Sequence, residues 1–509
     1  MTKEAILGIQ LGHNSTAAIL INGKIMGSIS QEKFDNIKNS SSFPHQPIEW
    51  LLKEFKIKTK DLQAVAVSGF FISPNSLKIN PKNNTKSKKS FINRMWANTE
   101  YYLGHSSIFR NEIMRLRFLY LELKSRIYRN KLKSILKQDF EIPEEKVYFV
   151  EHHEAHTYST FFTLNKKRNE KSLIFTLDGS GDYHCATVSV VEKGKIKRVS
   201  ETNWDKSIGY IYSLTTTFLG MKALEHEYKV MGLAPYAKSY FEDTYDRLFR
   251  DIISFSKDTL EFKSKFPLNR FNLHLEKNSK GERFDNIAAS VQKLTEELIL
   301  DWISSAIKKY NIKNIYLSGG VFMNVKLNKR IMELKQVNSA NFMPSCGDES
   351  NPIGAAFKMH TVLNPNTAIQ PIDNLYLGKR YSDKEILSYI KKNNLDKKYK
   401  ITKHKDIELK IAKMISKGEI VARFKGRNEF GARALGNRTI LADPSKMESF
   451  YTVNDQVKMR DFWMPFAPSI LWEDHSKYIK NPKNFKAPHM ILAFDSTQEG
   501  KDKLRAALH

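Results

Sequence analysis

The sequence has only two cysteines, Cys185 and Cys346, far apart and in unrelated surroundings. That argues against a disulfide framework and leads us to expect a reducing, cytoplasmic setting. It also lacks any run of eighteen apolar residues, so nothing in it reads as a membrane-spanning helix. The opening stretch M-T-K-E-A-I-L-G-I-Q-L-G lacks the apolar core and small-residue cleavage site of a secretion signal, and reads as a strand entering a fold directly. Acids are scarce between Lys78 and Lys137, where Glu100, Glu112 and Glu122 stand against many Lys and Arg.

What is present fits a globular protein. With 509 residues, 41% of them hydrophobic, the chain can build roughly two or three domains with a large core. The net charge of +27 points either to a polyanion such as tRNA or to a lysine bias spread over solvated faces. Much of the excess falls in a basic insertion at about 75–140. Apolar residues recur there at helical spacing, so we read an amphipathic basic helix packed on the body rather than a nucleic-acid arm.

Two stretches repeat one pattern. Residues 5–30 and 172–200 each read as an apolar strand, a Gly-containing polar turn, a second strand, a G-K-I hairpin turn and a third strand. The turns fall at Gly23-Lys24-Ile25 and Gly194-Lys195-Ile196. Strand and helix signals alternate after each block. The expected fold is therefore α/β, with duplicated lobes at about 1–155 and 156–365 facing each other across a nucleotide cleft. Pro and polar residues cluster at Asn364–Asp373 and set a boundary. A second domain, 366–509, follows, with a helix around Lys384–Lys392 and a Gly- and Arg-rich segment from Lys425 to Asp443.

Several motifs carry chemistry. In G-H-N-S-T-A-A, His13 sits in a turn beside the expected cleft, where it either deprotonates a hydroxyl or simply bonds to backbone. In L-D-G-S-G-D, Asp178 ends an apolar strand and suits a metal or an Asx-turn. In L-S-G-G-V-F-M-N, Gly319 and Gly320 let backbone N–H groups approach a phosphate, and Asn324, one turn into the next helix, can contact a nucleotide. In P-S-C-G-D-E-S-N-P-I-G-A-A-F, Asp348 is expected to be exposed at the cleft, before a helix whose small residues permit close packing. The stretch V-E-H-H-E-A-H places three imidazoles within five residues. On a helix, His152 and His156 share one face at i and i+4, while His153 points about 100° away. With Asp178 and Asp348 as candidate partners, the set suits mononuclear zinc or iron(II).

These motifs, in order, resemble the O-carbamoyltransferases of the nodulation and antibiotic-tailoring type over nearly the whole chain. The resemblance rests on G-H-N-S-T-A-A, Q-E-K-F with F-P, H-H-E-A-H, D-G-S-G-D, E-Y-K-V-M-G-L-A-P-Y-A, S-G-G-V-F-M-N and G-D-E-S-N-P-I-G-A-A. Toward the C-terminus it adds G-R-N-E-F-G-A-R-A-L-G-N-R-T-I-L-A-D-P and V-K-M-R-D-F-W-M-P-F-A-P-S. It implies actin-like ATPase lobes, similar to the tRNA threonylcarbamoyl-transfer (Kae1-like) proteins, followed by a YrdC-like domain. That second domain would make carbamoyl adenylate from carbamoyl phosphate and ATP, with Mg2+ accompanying the ATP. The first would pass the carbamoyl group to a hydroxyl of a sugar or secondary metabolite. By resemblance, His152, His156, Asp178 and Asp348 hold the metal and His13 is the general base. Lys229, Gly319, Gly320 and Asn324 line the nucleotide, and Arg433, Arg438 and Lys458 hold carbamoyl phosphate.

Departures from the family pattern are Asn14 for Asp, Ala432 for Pro and Met464 for Arg. The chain also ends before the family's last motifs, so the second domain reads as truncated. A membrane partner is not expected and a nucleic-acid partner is disfavoured; a homodimer is admitted. Two alternatives stay open: a tRNA threonylcarbamoyl-type modification protein, and a degenerate relative without activity.

Overall fold

The computed structural model describes residues 4–78, 91–165 and 169–508, without the side chains of 91–96 and 107. Residues 79–90 of the basic insertion lie outside the described residues. The chain divides into two compact units, Met1–Asp373 and Asn374–His509.

The first unit is built on two five-stranded mixed sheets of one topology. In the first sheet, β1 (Ala5–Gln10), β2 (Thr16–Ile21) and β3 (Lys24–Ser30) form an antiparallel meander. Next, β4 (Leu62–Ser68) pairs in parallel with β1, and β5 (Val147–Val150) in parallel with β4. The order is β3-β2-β1-β4-β5. Every residue of β1 is buried, as expected for a strand covered on both faces.

The second sheet starts with another meander, β6 (Ser172–Gly181), β7 (His184–Glu192) and β8 (Lys195–Asn203). A short hairpin of β9 (Ile253–Phe255) and β10 (Phe262–Ser264) stands apart. Then β11 (Asn314–Ser318) joins β6 in parallel, and β12 (Ser339–Phe342) joins β11. The order β12-β11-β6-β7-β8 repeats that of the first sheet.

Both meanders turn through matching two-residue loops. Asn22-Gly23 and Lys193-Gly194 have positive φ at both positions, the type I′ signature whose twist suits a hairpin. The turns thus sit one residue earlier than the sequence pattern placed them: Lys24-Ile25 and Lys195-Ile196 already belong to β3 and β8.

Two helices cross between the sheets. The helix His152–Leu164 follows β5 of the first sheet but packs on β6 and β11 of the second. The helix Asn351–Leu363 follows β12 of the second sheet but packs on β1, β2 and β4 of the first. The two helices also pack on each other. They pass close together at Gly354, where a Cβ would sit 1.8 Å from the Ala155 carbonyl oxygen. This exchange of helices brings the strand ends of both sheets to one place.

The second unit contains the helix Asp383–Lys392, started by a reciprocal Ser382–Glu385 capping box, and the hairpin of β13 (Val421–Phe424) and β14 (Arg438–Leu441). Among the described residues, no helix is long and apolar enough to cross a membrane.

The long helix Ser107–Phe140 packs by one face only. Leu132 and Leu136 join the core of the first sheet, and Arg110 reaches Asp205 at 2.6 Å. Its other apolar face is exposed, contrary to the amphipathic pattern read from the sequence.

Candidate metal centre

Glu151 caps the histidine helix, its carboxylate accepting the Glu154 N–H at 2.7 Å. Helical spacing then stacks His152 and His156 on one side. Their Nε2 atoms meet Asp178, where β6 leaves its regular pairing with β7, and Asp348, in the turn that opens the helix Asn351–Leu363. His152 Nε2 lies 3.5 Å from Asp178 Oδ2 and 3.4 Å from Asp348 Oδ1. His156 Nε2 lies 3.2 and 3.4 Å from the same two oxygens. Imidazole and carboxylate thus alternate around a ring whose four ligand atoms lie within 4.8 Å of one another.

The donors fit a divalent ion. Ligand atoms around an ion with bonds of about 2.0–2.2 Å lie roughly 3–3.5 Å from their neighbours, the spacing of this ring. His152 Nε2 is buried without a hydrogen-bond partner, although it faces both carboxylates. Two imidazoles and two carboxylates are the donor set of zinc or iron(II). Burial opposes charge on His152, but Asp348 and Asp178 outweigh it and lift its pKa to about 10. His156 is raised by the same two acids against the same burial. Burial pushes the Asp178 carboxyl up, yet the two histidines beside it hold it well below its ordinary value.

The surroundings orient the ring. Ser318 Oγ meets His156 Nδ1 at 3.1 Å, which leaves Nε2 for the centre. Gln10 donates to Asp348 Oδ2 at 3.5 Å, and the Asn351 amide lies 3.3 Å from His156 Nε2. Asp182 accepts the N–H groups of Phe70, Phe71 and His152, tying the loop after β4 to the start of the histidine helix. Gly181 is required here because a Cβ would sit 2.0 Å from the His152 ring. His153 faces away, bonded to Thr176 Oγ1 at 2.8 Å and to the His184 carbonyl at 3.1 Å. Burial drives its pKa down to about 3, so it is neutral. Of these groups the helical spacing singled out only His153, as lying off the face shared by His152 and His156. Ser318, at the strand end before Gly319-Gly320, was the one with a local signal.

His13 lies beside the ring, its Nε2 3.3 Å from Asp348 Oδ2 and its side chain 40% exposed. Asp348 itself is buried rather than exposed, because the crossing helices close over it. The neighbouring Asn14 amide donates to Glu349 Oε2 at 3.2 Å, and Ser345 holds the other oxygen of Glu349. Burial raises the Glu349 carboxyl.

The residues assigned to the nucleotide are placed differently from one another. Gly320 adjoins Asp178: a Cβ there would lie 3.1 Å from Oδ1. Gly319 has φ of 103° and packs against Leu177, where a Cβ would meet the carbonyl oxygen at 2.3 Å. Asn324 is the N-cap of the helix Val325–Glu333 rather than a residue one turn inside it. Its side chain accepts the Leu327 N–H at 3.0 Å and bonds reciprocally with Gln292. Lys229 is half-buried on the helix Glu227–Leu233.

In the second unit, Arg433 and Arg438 belong to the segment that joins β13 to β14 and to β14 itself. Arg438 lies 4.1 Å over the Phe424 ring and donates to the carbonyls of Lys425 and Lys379, each at 3.3 Å. Lys458 is exposed, and Met464 is buried in the core of this unit. Glu429 organises the segment by accepting the N–H groups of Leu435, Asn437 and Arg438 at 2.7–3.0 Å. Burial pushes the Glu429 carboxyl up, but these N–H groups more than offset it and leave the pKa below 4.5. A depressed folded pKa gives stability that is present above the unfolded value and lost as pH falls through the folded one. Glu429→Gln is expected to cost this unit about 1–2 kcal/mol at neutral pH. The variant should also lose less stability than wild type on acidification below pH 4.5. Hydrogen exchange of residues 425–441 at both pH values checks this; identical acid profiles would remove Glu429 as the cause.

Comparison with known proteins decides the family. The carbamoyltransferase N-terminus family model matches residues 5–357, and the carbamoyltransferase C-terminus model matches residues 412–509. The chain belongs to the carbamoyltransferase family. It is therefore a transferase enzyme. An uncharacterized protein of Methanocaldococcus jannaschii is 30% identical over 78% of this chain and 66% of its own length. Nodulation protein NolNO of Sinorhizobium fredii is 25% identical over 98% of this chain and 68% of its own. The 3'-hydroxymethylcephem-O-carbamoyltransferase of Streptomyces clavuligerus is 29% identical over 38% of this chain and 34% of its own. Among solved structures, full-length HypF in its phosphate- and nucleotide-bound form overlays at a TM-score of 0.39 and 14% identity, over 72% of this chain and 47% of that one. So loose an overlay carries no weight beside the strand order described above.

Proposed function

We propose that this enzyme is an ATP-dependent O-carbamoyltransferase with a small-molecule hydroxyl acceptor. In this reading the paired sheets are actin-like ATPase lobes and the second unit is YrdC-like. That unit forms carbamoyl adenylate from carbamoyl phosphate and ATP, consuming water and releasing orthophosphate and pyrophosphate, and Arg433, Arg438 and Lys458 bind the phosphate. Lys229, Gly319, Gly320 and Asn324 line the nucleotide in the first unit. The observation that carries the reading is the ring of His152, His156, Asp178 and Asp348 with His13 bonded to its edge.

These four residues would hold a divalent metal. Bound there, the ion would supply Lewis-acid polarisation to the carbamoyl carbonyl or the adenylate phosphate. The remaining work falls to the chain's own groups. Donation from His13 Nε2–H to Asp348 leaves Nδ1 with its lone pair. That atom takes the proton from the acceptor hydroxyl as the oxygen attacks the carbamoyl carbon and AMP leaves. The carboxylate orients the imidazole as the third group of a catalytic triad does. Glu349, through Asn14, fixes the turn that carries His13.

The test is the fate of ATP. Full-length protein given ATP, Mg2+ and carbamoyl phosphate is expected to release pyrophosphate and, with acceptor, AMP. Omitting carbamoyl phosphate should stop both. ATP consumed to ADP instead would defeat the reading.

A further inference from the structure

The helix Ser107–Phe140 carries apolar residues on two faces. Toward the body it buries Met114, Leu132 and Leu136. Away from the body, Phe109, Leu116, Leu119, Tyr120, Leu123 and Ile127 are each 56–67% exposed. At 100° per residue these six fall in an arc of about 100°, and from Phe109 to Ile127 they run about 27 Å along the axis. Isolated exposed leucines are ordinary, but a continuous stripe of this length marks a surface that meets something. A helix apolar on both faces normally has both covered. Leu116 and Leu119 also line a cavity of about 820 Å³ with Phe118, Tyr183, Asn203 and Asp205. The stripe is thus continuous with a hollow in the body instead of being closed off by packing.

Charge decides what covers the stripe. Arg115 and Arg126 border it on one side, Lys124 and Lys131 on the other. Glu112 is an exposed acid within the same arc, between Phe109 and Leu116, and also lines the hollow. Glu122 is turned aside to Arg126, Arg129 and Tyr183. A second copy fits poorly. Antiparallel pairing about the centre of the stripe would bring the cationic border of one copy alongside that of the other, and like charges across a rim oppose association. A surface of anionic headgroups over an apolar interior complements both features, and a helix with a cation-edged apolar face lies in such an interface without crossing it.

We propose that the outward face of the helix Ser107–Phe140 docks this protein on an anionic lipid bilayer. The six apolar side chains enter the headgroup–acyl boundary, and the bordering Arg and Lys meet lipid phosphates. The proposal is independent of the acceptor and of the carbamoyl chemistry.

The full chain is floated with vesicles of phosphatidylcholine, alone or mixed with phosphatidylglycerol. Wild type should float with the mixed vesicles and much less with phosphatidylcholine alone. The triple variant Leu116→Gln, Leu123→Gln, Ile127→Gln should lose at least tenfold in bound fraction. Arg115→Gln and Arg126→Gln should each cost about fivefold. Unchanged melting and metal content in every variant separate this from misfolding; a triple variant that melts early is replaced by the two Arg variants as the deciding pair. Equal flotation with both vesicle types, or no flotation of wild type, overturns the proposal. A wild-type dimer that the triple variant splits, without vesicle binding, assigns the stripe to a second copy and overturns it as well.

Discussion

Replacing His156 by alanine is expected to strip the metal from this protein and to stop carbamoyl transfer. His156 is fully buried, and its Nε2 belongs to two of the four imidazole–carboxylate edges of the ring. Without it, Asp178 and Asp348 face each other with one imidazole between them. Losing even a group that only orients a ligand typically costs about 10–100-fold in metal affinity, so losing the ligand should cost at least about 100-fold. Elemental analysis of dialysed protein should find about one equivalent of metal in wild type and a small fraction in the variant. Ser318→Ala is the graded control. It frees His156 Nδ1 without removing a donor, and should fall between the two. A His156→Ala protein that kept its metal and its activity would refute the site.

Replacing His13 by alanine is expected to separate the two functions. The imidazole touches the ring only through Asp348 Oδ2 and is partly exposed, so metal content and melting should match wild type. Acceptor carbamoylation should fall by about 10²–10⁴, the usual worth of a positioned general base. Carbamoyl phosphate-dependent exchange of pyrophosphate into ATP, which the second unit is proposed to carry out, should be unaffected. Undiminished transfer from His13→Ala would return this residue to a turn histidine and leave the base unassigned. Lost metal would instead make it part of the ring's support.

These two predictions divide along what the sequence made visible. The pairing of His152 with His156 was legible because four residues of helix return a side chain to the same face, a local rule independent of the rest of the fold. The repeated meanders were legible for the same reason: alternation and a tight turn are written within thirty residues, although the turns moved by one residue when the backbone chose Asn22-Gly23 and Lys193-Gly194. Asp178 and Asp348 were nominated by their Gly-rich contexts, but a strand-end aspartate is equally at home in an Asx-turn.

Only the tertiary structure put them together. Asp348 meets His152, His156 and His13 because two helices exchange sheets, and Gly354 allows the close approach that closes over them. The same closure buries Asp348, which its polar loop had suggested was exposed. Gly319 reads as a phosphate loop in the sequence, yet its positive φ and its contact with Leu177 show packing at work as well. The helix Ser107–Phe140 shows the limit most plainly. Apolar residues surround it, and no periodicity tells which face the body covers and which is left outside. By itself the sequence determined the elements, the imidazole pair and the family, since each rests on neighbouring residues or ordered motifs. The ring, its supports and the uncovered stripe depend on contacts between residues distant in the chain, and those exist only once the sheets and helices have packed.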